Sequence, residues 1–299
     1  MEAHRAIHPT LMSLRSLMPW YARIGAKLVL SRLPAAYFVW HRLGYFSHGA
    51  MDRPDYAHRV FRQHFDAGTF PRKAGGFVGL ELGPGDSALS AVAARAYGAA
   101  AWHLVDAGRF ATPDLAPYRA MADMLRLQGR NAPDLANAGD LDAVLSACGA
   151  HYGTTGLRAL QALVPERLDL VWSQAVLEHV RRGEFLQTMQ ALRRALRPGG
   201  LCSHTVDLRD HLGGGLNNMR LRSPLWESPW MVRSGFYTNR LRLSEMLALF
   251  REAGFAPQVT RTAHWESPPL PRHKLALEFR GLPDDDLLVR EFDVLLRPA

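Results

Sequence analysis

A short apolar segment that runs into a glycine turn constrains this chain more than any other feature. Residues 77–82, FVGLEL, have the length and composition of a buried parallel strand. The turn of residues 83–85 follows, and Asp86 and Ser87 then precede an alanine-rich run to residue 97. These residue types favour the start of a helix. The pattern predicts a strand, a glycine turn and a helix N-terminus, whose free N–H groups would face a bound nucleotide.

A second apolar stretch, residues 99–105, ends at Asp106. A carboxylate at the tip of the second strand, about twenty positions after a glycine turn, is placed to hold two ribose hydroxyls. The alternative is an ordinary exposed Asp at a strand end. The turn itself fits two templates. Gly83, Gly85 and Ala88 match the G-x-G-x-x-A dinucleotide fingerprint, and Glu81 with the same glycines forms E-x-G-x-G.

Strand and helix patterns alternate through the rest of the chain, which predicts a parallel sheet with helices on both faces. Polar residues 151–156 are predicted as a loop. The remaining predicted elements are helices 54–67, 88–97, 112–130, 140–148, 157–163, 183–196, 243–253 and 270–279, and strands 101–106, 167–173, 201–207, 256–265 and 287–296.

Four segments in this order make the pattern specific: ELGPGDS, Asp106, LDLVWSQAVLEHV and ALRRALRPGGLCSHTVD. Over residues 75–260 the chain resembles the class I S-adenosylmethionine-dependent methyltransferases of the broad type 11 group. Dinucleotide dehydrogenases do not usually carry the LRPGG-strand element here. The resemblance implies an α/β, Rossmann-like, seven-stranded, mostly parallel sheet whose last strand is antiparallel. The chain departs from the family at Ser87, which stands where a third glycine is usual.

The resemblance also implies S-adenosyl-L-methionine as cofactor and assigns its contacts. Glu81, Gly83 and Gly85 would line the methionine end, and Asp106 would accept both ribose hydroxyls. Ala107 or Phe110 would touch the adenine, with Asp140 as a further contact to its amine. The full set of predicted cofactor-binding residues is Glu81, Gly83, Gly85, Asp86, Ser87, Asp106, Ala107, Ser173 and Gln174.

Transfer to a hydroxyl benefits from a general base, because a neutral hydroxyl is a weak nucleophile. The segment HTVDLRDH offers several candidates near a strand end. We predict Asp207 and His211 jointly, with His204 and His179 as further candidates. Two alternatives stay open: His204 is hydrogen-bonded inside the sheet, and His179 shapes the pocket without taking a proton. We expect no metal, although His204, Asp207 and His211 have the residue types of a metal site.

Residues 208–240 form the least regular long segment, and we interpret them as a substrate loop or lid over the strand tips. Aromatic residues such as Trp226 and Tyr237 stand there among several arginines. This mixture suits a sugar, an aromatic metabolite or an anionic headgroup as acceptor. SQAV at the fourth strand lacks the N/D-P-P-Y/F tetrapeptide, which argues against DNA-adenine-type amino-methyltransferases.

Residues 1–74 are predicted to form a basic helical extension before a methyltransferase domain at 75–299. Eleven of the Lys and Arg residues, against four acidic residues, fall within the first 75 positions, while the whole chain carries +8. Such a segment suits a membrane surface or a polyanion, or simply forms a solvated helical face. We expect peripheral contact with the inner membrane surface as the partner of this segment, and no nucleic-acid partner. The apolar window 28–46 is interrupted by charges and Pro34, so we do not expect it to span a bilayer.

The two cysteines, Cys148 and Cys202, do not suggest a disulfide framework, so we expect a cytoplasmic protein. The predicted function is methyl transfer to a hydroxyl oxygen of a small-molecule, glycan or secondary-metabolite acceptor. The alternatives are N- or C-methylation of a lipid, quinone or RNA, a catalytically inactive binding protein of the same fold, and a nicotinamide enzyme. The sequence leaves the oligomeric state open.

Overall fold

A computed structural model describes residues 50–70 and 75–299, and its centre is a seven-stranded sheet. The strands are β1 (Phe77–Leu82), β2 (Ala99–Val105), β3 (Ala150–Gly153), β4 (Leu168–Gln174), β5 (Leu196–Asp207), β6 (Phe255–His264) and β7 (Val289–Pro298). They lie in the order β3-β2-β1-β4-β5-β7-β6. Strand β7 is antiparallel to both β5 and β6, and the other neighbours are parallel. The predicted α/β fold class is therefore confirmed, including its antiparallel last strand.

The strand order places a topological switch point between β1 and β4. Strand β1 pairs in parallel with β2 on one side and with β4 on the other. The chain leaves β1 toward β2 and β3, and later returns to β4 and β5 on the opposite side. The connections after β1 and β4 therefore diverge, which leaves a crevice at their carboxyl ends where open α/β sheets bind ligands.

Helices cover both faces of this sheet. They are α1 (Pro54–Phe65), α2 (Leu89–Ala96), α3 (Ala116–Leu127), α4 (Leu141–Ala147), α5 (Leu157–Gln161), α6 (Phe185–Ala195), α7 (Ser223–Trp226), α8 (Pro229–Val232), α9 (Leu243–Glu252) and α10 (Asp284–Leu288). Helices α1 to α4 pack around Trp102 and Trp172 on one face. Helices α5, α6 and α9 pack around Val171 and Phe250 on the other. Alternation of side chains along β4 explains why neighbouring residues 171 and 172 belong to different cores.

The described residues divide into two units. The larger comprises residues 50–208, 239–267 and 283–299 and contains the sheet; the smaller comprises residues 209–238 and 268–282. In the smaller unit, Trp226, Phe236 and Tyr237 belong to a small aromatic core, and Ala276 donates its backbone N–H to Met219 at 2.9 Å. The predicted role of residues 208–240 as a lid stays a prediction, as does the division at residue 75.

Several predicted elements differ from the structure. Residues 151–156 are not simply a loop, because they contribute to β3, a four-residue strand at the sheet edge. The helix predicted at 270–279 is wrong: two 3₁₀ turns, Arg272–Lys274 and Leu277–Phe279, stand there. Asp140 precedes β3 and caps α4 by accepting the Ala143 N–H at 2.8 Å, so its predicted place after the third strand is also wrong. The predictions for residues 1–49 lie outside the described residues.

Candidate functional site

The turn after β1 is built around two glycines with left-handed backbone angles. Gly83 has φ +71° and Gly85 has φ +62°, values that residues with a Cβ rarely adopt. A Cβ on Gly83 would lie 2.6 Å from the Val176 side chain, so the turn and the segment after β4 approach each other closely. A Cβ on Gly85 would meet no atom within 4 Å and would project into open space. The turn therefore leaves room beside the crevice between β1 and β4.

Asp106 connects the end of β2 to the same turn. One carboxylate oxygen accepts the Gly85 N–H at 2.9 Å, and the other accepts the Ala107 N–H at 2.7 Å. These two bonds fix the carboxylate beside the glycine turn. The assignment of Asp106 and Ala107 to ribose and adenine stays a prediction.

Glu81 lies beneath the turn as a buried carboxyl group, 2% exposed. Ser90 of α2 donates its hydroxyl to this carboxyl, and the Trp102 indole N–H lies 3.2 Å from the Ser90 oxygen. Burial, reinforced by the nearby Asp106 charge, raises the pKa of Glu81 to about 8. Glu81 is therefore mostly protonated at neutral pH and supports the turn from within. Its contact with the methionine end of a cofactor stays a prediction.

Ser87 supports the start of α2 from one position earlier than the cap. The residue preceding the helix is Ala88, and the Ser87 hydroxyl accepts the Leu89 N–H at 3.1 Å. The serine therefore satisfies one backbone N–H at the start of α2. Asp86 is tied down through its carbonyl, which accepts the Thr112 N–H at 2.9 Å.

Ser173 and His204 form a buried pair near the carboxyl end of β4. The Ser173 hydroxyl lies 2.7 Å from His204 Nδ1, and the two residues are 0% and 1% exposed. Burial lowers the pKa of His204 to about 3, so the ring is neutral at physiological pH and a poor proton acceptor. This geometry favours the alternative that His204 is hydrogen-bonded inside the sheet. The predicted contact of Ser173 with the cofactor stays a prediction.

Gln174, the last residue of β4, is held by a histidine that the sequence analysis did not select. His64 of α1 places Nε2 3.0 Å from Gln174 Oε1 and Nδ1 2.9 Å from Ser203 Oγ. Its ring stacks on Trp172 at 4.8 Å between centroids. One signal was present: Ala57, Phe61 and His64 share the apolar face of α1, so a polar group falls where a hydrophobic residue is expected.

The segment after β4 begins with a strained residue and is held by hydrogen bonds from Asn239, which precedes α9. Ala175 has φ +53°, an unusual value for a residue with a Cβ. Asn239 donates its side-chain N–H groups to the carbonyls of Leu177 at 2.8 Å and Val180 at 2.9 Å. Its backbone N–H bonds the Glu178 carbonyl at 2.7 Å. These bonds fix the segment that carries His179.

Glu178 is a second buried carboxyl group, 2% exposed. Burial, together with the neighbouring Asp207 and Glu291 charges, raises its pKa well above the ordinary value. The backbone N–H groups of Glu178 and Asp207 partly oppose this rise in pKa. Both carboxyl oxygens are nevertheless buried without a hydrogen-bond partner. His179 beside it is partly buried, and its N–H bonds the Val176 carbonyl at 2.8 Å.

The predicted pair Asp207 and His211 falls on two different units. Asp207 ends β5 in the larger unit and stands opposite Glu291 of β7 in the antiparallel register. His211 belongs to the smaller unit. Their joint action as a base stays a prediction, as does the role of His179.

The described part of the chain holds neither a metal-binding cluster nor a membrane-spanning helix. Within residues 50–70 and 75–299, no three His, Cys, Asp or Glu side chains are grouped so that they could hold a metal ion. Across the same ranges, every helix is too short or too polar to cross a membrane.

No family model and no curated protein matches the sequence, but solved structures of similar arrangement exist. An S-adenosylmethionine-dependent methyltransferase from Mesorhizobium loti is 16% identical, with 81% of this chain and 95% of that one covered and a TM-score of 0.41. The YcgJ protein of Bacillus subtilis is 12% identical, with 81% and 99% covered and a TM-score of 0.44.

A third similar structure is phosphoethanolamine N-methyltransferase 2 of Haemonchus contortus in complex with S-adenosyl-L-methionine. It is 16% identical, with a TM-score of 0.44, and the alignment covers 82% of this chain and about half, 53%, of that one. Identities and TM-scores this low do not transfer an activity, so the case for a function rests on the residues of the site.

Proposed function

We propose that this protein is an S-adenosylmethionine-dependent methyltransferase. The observation that carries the proposal is the joint geometry of Gly83, Gly85 and Asp106 beside the switch point of the sheet. A left-handed turn with open space in front of it is bonded directly to a carboxylate at the tip of β2. That combination supports a ligand with a ribose and a backbone-contacting polar end.

The residues present fit this cofactor. The space in front of Gly85 is open, and a ligand there would be displaced by a Cβ at this position. Two backbone N–H groups hold the Asp106 carboxylate beside the turn. We assign the ribose hydroxyls to Asp106 and the methionine end to the Glu81–Gly85 segment. When bound, S-adenosylmethionine supplies an activated methyl group whose bonding electron pair leaves with the sulfur.

The acceptor we propose is a hydroxyl of a small molecule, glycan or secondary metabolite. Its oxygen lone pair forms the new O–C bond, and its proton must pass to a base. We assign that proton to the Asp207 carboxylate at the end of β5, because burial raises the pKa of the neighbouring Glu178 and His204 is already hydrogen-bonded to Ser173. The main contribution of the chain is to hold donor and acceptor in line.

Incubating the full chain with trideuteromethyl-labelled S-adenosylmethionine and a metabolite extract of the source cells tests this proposal. We expect a product that is about 17 mass units heavier at a hydroxyl, the mass of a trideuteromethyl group less that of the hydrogen it replaces. A label on nitrogen or carbon would overturn the hydroxyl assignment and leave the methyltransferase assignment intact.

Ligand-induced thermal shifts separate the donor classes. S-adenosylhomocysteine should raise the melting temperature of the wild type, whereas NADH should not. Gly85→Ala should abolish the shift, because the new Cβ projects into the proposed ligand space. Gly129→Ala is the matched control, since Gly129 also has a left-handed φ, +74°, and open surroundings but follows α3. A shift with NADH alone, or none with either ligand from a folded protein, would overturn the proposed function.

A further inference from the structure

The amide of Gln174 stands at the carboxyl end of β4, at the edge of the switch-point crevice. It is partly exposed, and the chain turns out of the sheet directly after it at Ala175. The orientation of this amide decides whether the crevice presents a hydrogen-bond donor or an acceptor. The oxygen of a carboxamide only accepts hydrogen bonds, and its nitrogen only donates them.

His64 fixes that orientation through a chain of hydrogen bonds. The Gln174 Oε1 atom, 3.0 Å from His64 Nε2, can only accept, so Nε2 must carry the proton. In a neutral ring Nδ1 then carries a lone pair, and the Ser203 hydroxyl, 2.9 Å away, donates to it. The ring is neutral because burial lowers the pKa of His64 to about 4.

Rotation of the histidine ring is opposed by its packing. The ring stacks on Trp172 at 4.8 Å with an interplanar angle of 27°, and His64 is 1% exposed. With Oε1 engaged, the two N–H groups of Gln174 Nε2 point away from His64. Within residues 50–70 and 75–299, no group accepts a hydrogen bond from Gln174 Nε2.

We infer that His64 is a positioning residue that makes Gln174 present N–H donors to the methyl acceptor, and that the accepting atom is oxygen rather than an amine nitrogen. This inference rests on the proposed function and deepens it. A hydroxyl oxygen has two lone pairs, so one can attack while the other accepts a hydrogen bond from Gln174. A neutral amine has only one lone pair, which must attack, and its N–H groups would need an acceptor that this amide does not offer.

The tautomer of His64 is the direct test. Ring ¹⁵N chemical shifts of the full chain, labelled at histidine and measured at pH 8, distinguish Nε2–H from Nδ1–H. His64→Leu assigns the signal by removing it. His58→Leu is the matched control, since His58 lies on the same helix and bonds Tyr97 at 2.9 Å. We expect a neutral Nε2–H ring; an Nδ1–H ring or an imidazolium would overturn the inference.

Gln174→Glu adds a second, independent readout. A carboxylate offers oxygen to Nε2 just as the present amide does, so His64 should keep the same tautomer in this variant. If the amide were reversed, the wild type would show Nδ1–H and the variant would switch to Nε2–H, which would contradict the inference.

Failure of this inference and failure of the proposed function are distinguishable. The tautomer is read without cofactor or acceptor, whereas S-adenosylhomocysteine binding tests the methyltransferase assignment alone. An N-methyl product from a protein that binds S-adenosylhomocysteine and shows the Nε2–H ring would overturn only the oxygen acceptor.

Discussion

Replacing Glu81 by Gln should stabilise the protein by an amount that grows with pH. The carboxyl group is buried beneath the glycine turn, and its pKa is raised from the ordinary 4.5 to about 8. The unfolded chain therefore releases this proton near pH 4.5, whereas the folded protein keeps it until about pH 8. Between these values the folded state binds more protons than the unfolded state, so the stability that this group supports falls as pH rises.

The size of the effect follows from the shift. One pKa unit corresponds to about 1.4 kcal/mol, so the wild type should lose about 2.7 kcal/mol relative to Glu81→Gln between pH 5.5 and 7.5. Between pH 4.5 and pH 8, the loss of stability relative to Glu81→Gln is about 5 kcal/mol. For a chain of this size, 2.7 kcal/mol corresponds to a change of roughly 4 °C in melting temperature.

Urea unfolding of both proteins without ligand, at pH 5.5, 6.5, 7.5 and 8.5, measures this difference. Any loss of the Ser90 hydrogen bond gives an offset that does not depend on pH, so the slope is the diagnostic quantity. Glu252→Gln, on the exposed end of α9, controls for removal of a carboxylate. A stability difference between wild type and Glu81→Gln that stays constant from pH 5.5 to 7.5 would refute the reasoning.

Four further substitutions have defined outcomes. Asp207→Asn should lower turnover in the methyl-transfer assay while calorimetry shows unchanged S-adenosylhomocysteine affinity; normal turnover would remove Asp207 as the base, and His211→Ala tests the other half of the predicted pair in the same way. Asn239→Ala leaves two carbonyls without their donors and should cost on the order of 2–4 kcal/mol in urea unfolding, so a cost under about 0.5 kcal/mol would contradict the clamp. Asp210→Ala removes the acceptor of several backbone N–H groups in residues 212–217, and hydrogen exchange there should accelerate; unchanged protection would show that the carboxylate does not hold the loop.

The parts of the fold that the sequence predicted well are those with strong local signals. Strand β1 begins and ends where its apolar run does, because a strand buried on both faces needs hydrophobic residues throughout. The glycine turn and Asp106 were also predictable, since left-handed backbone and a strand-end carboxylate restrict the residue types allowed. In the structure, the Asp106 carboxylate accepts a hydrogen bond from the Gly85 N–H, a contact that the sequence analysis did not predict.

The parts that were missed depend on contacts between distant segments. Strand β3 has only four residues and mixed polarity, so its pairing with β2 rather than its own composition makes it a strand. His64 lies 110 positions before Gln174, and no local sequence pattern predicts that these two residues are hydrogen-bonded. The fixed orientation of the Gln174 amide is likewise a property of three elements, α1, β4 and β5, that only the folded chain brings together.

Calorimetric titration of the wild type and Asp106→Asn with S-adenosylhomocysteine is the decisive measurement for the cofactor site. We expect binding to the wild type in the micromolar range, and affinity weaker by about tenfold or more in the variant, because a charge-assisted contact of roughly 1.5–3 kcal/mol is lost. No binding to folded wild type, or equal affinity in both proteins, would contradict the claim that the glycine turn and Asp106 form the cofactor site.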